Sequence, residues 1–102
     1  MKRIENAFKT AAAEKRAAFM PYITAGDPDL ETSRQLVIAM AQAGADIIEF
    51  GVPFRDPIAD GPTIQHANER SLAAGATVSK VFDCVRAIRR ESQVPLVLMG
   101  SY

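Results

Sequence analysis

The sequence predicts an α/β protein built on a parallel sheet, and three observations point there. Three short apolar runs, at residues 19–26, 45–50 and 94–99, end in turn-forming residues, with Gly26, Gly51 and Gly100 at their borders. Segments with an apolar period near 3.6 lie between them. The runs are largely continuous in apolar character rather than alternating. That is the pattern of strands covered on both faces and joined by right-handed βαβ crossovers.

Taken in order, residues 3–14 place Ile4, Phe8 and Ala11 or Ala12 on one side of a short amphipathic helix with a charged outer face. FMPYITAG, residues 19–26, is the first strand, ended by Gly26 and the turn residues DPD at 27–29. Residues 30–43 form a helix with Leu36, Val37, Met40 and Ala41 on one face, Asp29 as N-cap and Gly44 as its stop. ADIIEF, residues 45–50, is the second strand, closed by Gly51 and Pro53. GVPFRDPIADGP, residues 51–62, has three prolines and two glycines and reads as a long loop. TIQHANERSLAAG suits a short helix ending at Gly75, and Thr77 caps a clearer one with a stripe of Val78, Val81, Phe82, Val85 and Ile88. VPLVLM, residues 94–99, is the third strand. RAIRRE at 86–91 reads as the solvated end of its helix, with Arg89 and Arg90 complementing the dipole.

Composition narrows the function classes. The 102 residues carry 12 Lys+Arg against 12 Asp+Glu, so no global basic field draws in nucleic acid or anionic lipid. The longest uncharged apolar stretch falls far short of the ~20 residues that span a bilayer. Charged residues from Glu5 to Arg16 interrupt any signal-peptide core, so a cytoplasmic protein is expected. One cysteine, Cys84, forms no internal disulfide, and one cysteine with one histidine, His66, is too thin a set for a conventional zinc site. No glycine-rich phosphate cradle is present. The chain reads as one domain, and small molecules or another protein are the fitting partners.

In a parallel α/β sheet, ligands meet the carboxyl ends of the strands. Glu49 lies near that end of ADIIEF, and Asp60 lies in the loop leaving the same strand. A carboxylate in an apolar strand is ligated, hydrogen-bonded or held protonated, and the last state makes a general acid. A wetter Asp60 completes a donor and acceptor pair. Spacing leaves the structural alternatives open: Glu49 partnering a buried base, Asp60 forming a turn. Asp56 reads as a loop residue, His66 as a surface residue, Asp27 as a turn residue and Cys84 as a packed thiol rather than a nucleophile.

PYITAGDPDLETS followed by GADIIEFGVPFRDPIADGPTIQHAN closely resembles the amino-terminal part of the tryptophan synthase alpha chain family. The resemblance runs from the leading helix to the third strand. It implies a partial (β/α)8 TIM barrel, an amino-terminal helix followed by strand, helix, strand, helix, strand, as one incomplete domain over residues 1–102. The implied activity is retro-aldol cleavage of indole-3-glycerol phosphate to indole and glyceraldehyde 3-phosphate, with no metal and no organic cofactor in this subunit. Glu49 is implied to protonate the indole carbon and help take the side-chain hydroxyl proton. Asp60 is implied to hold or deprotonate the indole nitrogen. Tyr22 falls where the family commonly has Phe beside the indole, and Tyr102 matches an aromatic near the site. The loop with Pro53, Asp56 and Pro57 corresponds to one that contacts the tryptophan synthase beta chain in an alpha2beta2 assembly.

Such a barrel needs ~250 residues and holds its phosphate on loops after strands seven and eight. The 102 residues are therefore expected to carry the acids without the phosphate anchor and to be nearly inactive by themselves. The competing readings are a non-catalytic segment that docks on a beta chain, and another phosphosugar barrel enzyme.

Overall fold

The computed structural model describes residues 2–54 and 61–100. The elements are α1 (Lys2–Ala13), β1 (Tyr22–Thr24), α2 (Leu30–Gln42), β2 (Ile48–Gly51), α3 (Pro62–Ala73), α4 (Val78–Glu91) and β3 (Leu96–Met99). The strands form one parallel sheet in the order β1-β2-β3. The α/β expectation is met. Both helices read between the second and third strands are present, α3 and α4, and together they make the crossover that the simple strand–helix–strand order counts as one. Pro62 suits the first turn of α3, where its missing N–H costs nothing, and Gly75, at φ +93°, lets the chain turn before Thr77 starts α4.

The caps expected from sequence are present. Asp29 accepts from Thr32 N at 2.7 Å, and Thr77 accepts from Lys80 N at 3.1 Å. Gly44, at φ +112°, follows the end of α2. Arg89 donates to Ser92 O and Val94 O beyond the end of α4.

All three strands are shorter than their apolar runs, and proline sets the limit at the amino ends of two. Pro21 and Pro95 have no N–H for a ladder, yet their carbonyls accept from Glu49 N and Ile48 N, both at 2.9 Å. Phe19 and Met20, expected in the first strand, stay 58 % and 44 % exposed. The second strand runs one residue further than expected and includes Gly51.

Side chains alternate across the sheet. Ile48 and Phe50 are fully buried with Val37 of α2 and Val81 and Ile88 of α4, and Ile23 and Leu96 pack against that cluster. This is the core. The opposite face carries Tyr22, Glu49 and Val97 on one rung and Thr24, Gly51 and Met99 at the next, since partners in a parallel register share a face. Part of the expected helix stripes does not reach the core: Leu36 is 43 % exposed, Val78 57 % and Phe82 45 %. In α4 the buried line is Val81, Cys84 and Ile88, and in α2 it is Ser33 and Val37. Among the described residues no helix is long and apolar enough to cross a membrane.

Candidate active site on the open face of the sheet

Glu49 is carried by β2 between the fully buried Ile48 and Phe50, so the strand cannot rotate it away without exposing the core. Its own side chain points to the other face and is half-buried. Among the described residues, no ion pair or hydrogen bond is made to its carboxylate. That disposes of a structural partnership with a described Arg or Lys, and it leaves the two oxygens for an incoming ligand.

Tyr22 is the register partner of Glu49 on β1. Its hydroxyl lies 3.3 Å from Thr24 Oγ1. Its ring reaches across Gly51, where a Cβ would stand 2.1 Å from Tyr22 Oη and 2.7 Å from Cζ. Gly51 is therefore a close-approach glycine within a strand, not merely the residue that ends it. Neither Thr24 nor Gly51 was marked as a site residue by the sequence. The available signal was a glycine following an apolar strand that also carries an acid.

Two helices hold the turn that follows β1. Gly26, at φ +89°, donates its N–H to Ser33 Oγ of α2 at 2.9 Å. From α3, Ser71 Oγ donates to Ala25 O at 2.6 Å, and Arg70 makes a two-pronged pair with Asp27 at 2.8 and 2.9 Å. Asp27 is thus a turn residue with a partner. A cleft of about 280 Å³ opens between β1 and α3, lined by Tyr22, Thr24, Leu36, Thr63, Ile64 and Arg70 among others.

Pro53 is buried just after β2, and Val52 N donates to Met99 O at 2.7 Å, extending the strand pairing. Asp56, Pro57, Asp60 and Tyr102 lie outside the described residues. His66 is on the surface of α3, 3.4 Å from Glu69, as the sequence suggested. Cys84 is buried between α2 and α4, 3.6 Å from Leu30 O, and burial raises its thiol pKa, which suits a packed thiol rather than a nucleophile. No group of three or more metal-binding side chains occurs among the described residues.

At the amino-terminal side of the strands a different cluster braces the fold. Asp46 accepts from Arg16 at 2.7 and 3.0 Å and from Phe19 N at 2.7 Å. Arg16, then the Phe19 N–H, hold the Asp46 pKa down at about 2. In a barrel this end serves stability, whereas ligands meet the carboxyl ends of the strands, the end toward which Glu49 lies in β2.

Residues 8–102 match the family model described as tryptophan synthase alpha chain. A tryptophan synthase alpha chain from Geotalea daltonii is 55 % identical over 102 residues, all of this chain and 39 % of the relative. One from Geobacter sulfurreducens is 53 % identical over the same length. Among solved structures, the tryptophan synthase subunit alpha of Legionella pneumophila superposes with a TM-score of 0.91 at 39 % identity, covering 96 % of this chain and 38 % of that one. The tryptophan synthase complex of Pyrococcus furiosus gives 0.79 at 44 % identity, covering 83 % and 35 %. These neighbours are TIM barrels, and the three parallel strands and four helices here are part of such a barrel. The chain spans about two-fifths of the length of the curated relatives it matches.

Proposed function

Because this chain belongs to the tryptophan synthase alpha chain family, we propose that it is the acid-bearing amino-terminal part of a carbon–carbon lyase of tryptophan biosynthesis. The reaction is retro-aldol cleavage of indole-3-glycerol phosphate to indole and glyceraldehyde 3-phosphate. The observation that carries this reading is the half-buried Glu49 carboxylate, unpaired among the described residues, beside Tyr22 on the open face of the sheet.

Glu49 delivers a proton to the indole carbon that bears the glycerol chain, and it helps remove the side-chain hydroxyl proton. Asp60 stabilises the indole nitrogen as the carbon–carbon bond breaks. Tyr22 and Tyr102 flank the indole. Each acid must come within about 2.6 to 3.2 Å of its target in the bound pose. The loop with Pro53, Asp56 and Pro57 meets a tryptophan synthase beta chain, in line with the alpha2beta2 complex described for the Pyrococcus furiosus protein. Neither a metal nor an organic cofactor takes part in this subunit's step, and the protein works in the cytoplasm.

The phosphate anchor comes from the remainder of the barrel, so these 102 residues by themselves turn over little substrate. A hybrid in which this chain replaces the matching segment of the Geotalea daltonii relative supplies that remainder. The hybrid releases indole from indole-3-glycerol phosphate. Glu49→Gln and Asp60→Asn each remove most of that activity, by about 10²-fold or more, with the fold kept by circular dichroism. Full activity in either variant contradicts the assignment. Beta-chain binding by the hybrid with no indole release leaves docking as the function.

A further inference from the structure

We propose that the Tyr22 hydroxyl donates a hydrogen bond to an oxygen on the three-carbon half of the substrate, which makes Tyr22 a specificity-determining residue. The inference rests on the retro-aldol reading above and concerns the phenol oxygen, the one atom by which tyrosine exceeds phenylalanine.

Thr24 is 5 % exposed, and among the described residues its Oγ1 meets a single partner, Tyr22 Oη. In a pair of hydroxyls one donates and the other accepts. Either hydroxyl can donate across this contact, and Thr24 itself also lines the cleft beside β1. When Thr24 donates, the phenol's own hydrogen is left for an acceptor outside the pair.

Its position follows from Gly51. With no Cβ at residue 51, the ring reaches over the strand and brings Oη to the rung of Thr24 and Gly51, at the carboxyl ends of β1 and β2. That is one rung beyond Glu49, on the same face. Tyr22 and Thr24 also line the 280 Å³ cleft beside β1, whose lining does not include Glu49. The indole ring cannot satisfy this donor in its plane, because its nitrogen is itself an N–H donor. The oxygen-bearing three-carbon half can.

The hybrid described above tests this in both directions of the reaction. Tyr22→Phe is expected to raise the KM for indole-3-glycerol phosphate and for glyceraldehyde 3-phosphate by about fivefold to tenfold, with the KM for indole within about twofold and kcat falling less than KM rises. Thr24→Val leaves the phenol free to donate and is expected to shift these constants less. Unchanged KM values in Tyr22→Phe overturn the proposal. So does a parallel rise for indole, or an equal effect of Thr24→Val, since either marks a purely structural hydroxyl. A hybrid that cleaves no indole-3-glycerol phosphate overturns the parent reading, and the substrate contact with it.

Discussion

Tyr22 occupies the space in which a side chain at residue 51 would begin, with Oη 2.1 Å from the Cβ position of that residue. The two residues therefore constrain each other across β1 and β2. Gly51→Ala forces the Tyr22 ring to move or the strands to part, and overpacking of this kind costs about 1–3 kcal/mol. In a Tyr22→Ala background the same change meets no phenol. Urea titration of the four proteins in a double-mutant cycle is expected to show Gly51→Ala costing clearly less when Tyr22 is gone. Additive effects would mean the ring can swing aside freely.

Asp46 sets an acid limit on stability. Its carboxyl falls from 3.8 to about 2 because Arg16, and then the Phe19 N–H, bond the charged form. A depressed carboxylate stabilises the native state above its unfolded pKa, and that contribution disappears as pH falls through the folded value. The stability difference between the wild type and Asp46→Asn is expected to hold steady above about pH 5 and to shrink between about pH 4 and pH 2. Denaturant midpoints across that range check it. A pH-independent difference would show that the Asp46 charge is not what matters.

Local chemistry was the most legible part of the sequence. Asp29 and Thr77 cap the helices they precede, and Gly44 and Gly75 adopt the left-handed turns their positions suggest. Glu49 could be singled out because an acid in an apolar strand has few innocent explanations. What the sequence could not show was register. Only pairing across the strands reveals that Tyr22, Glu49 and Gly51 share one face, or that Arg70 and Ser71 of α3 reach back to the turn after β1. Apolar runs also overstate strand length, because Pro21 and Pro95 are apolar yet cannot enter a ladder as donors.

Helix stripes were legible in period but not in width. Val81 is fully buried while the larger Phe82 beside it is 45 % exposed. Size alone ranks Phe82→Ala as the greater loss, but the burial reverses the order. Val81→Ala removes two buried methyl groups from the core cluster that includes Phe50 and Val37 and is expected to cost about 1–3 kcal/mol. Phe82→Ala in this chain is expected to cost less than Val81→Ala. Chemical denaturation of both variants decides it, and the reverse order would place Phe82 in the core.

The grip of α3 on β1 combines two bonds of different character, which salt can separate. Ser71 Oγ donates to Ala25 O from a fully buried position, and its loss leaves a buried carbonyl without that partner. Such a loss costs about 1–2 kcal/mol and responds little to ionic strength. The Arg70–Asp27 pair is well formed, but the Arg70 side chain is 56 % exposed, so screening by solvent limits it to about 0–1 kcal/mol. Ser71→Ala is therefore expected to lower the urea midpoint more than Arg70→Gln at low salt. Raising sodium chloride to about 0.5 M, where screening acts over only a few ångströms, is expected to shrink the Arg70→Gln difference and leave that of Ser71→Ala in place. A salt-insensitive Arg70→Gln loss exceeding that of Ser71→Ala would show that the ion pair, and not the buried hydroxyl, anchors the helix that begins directly after Gly61.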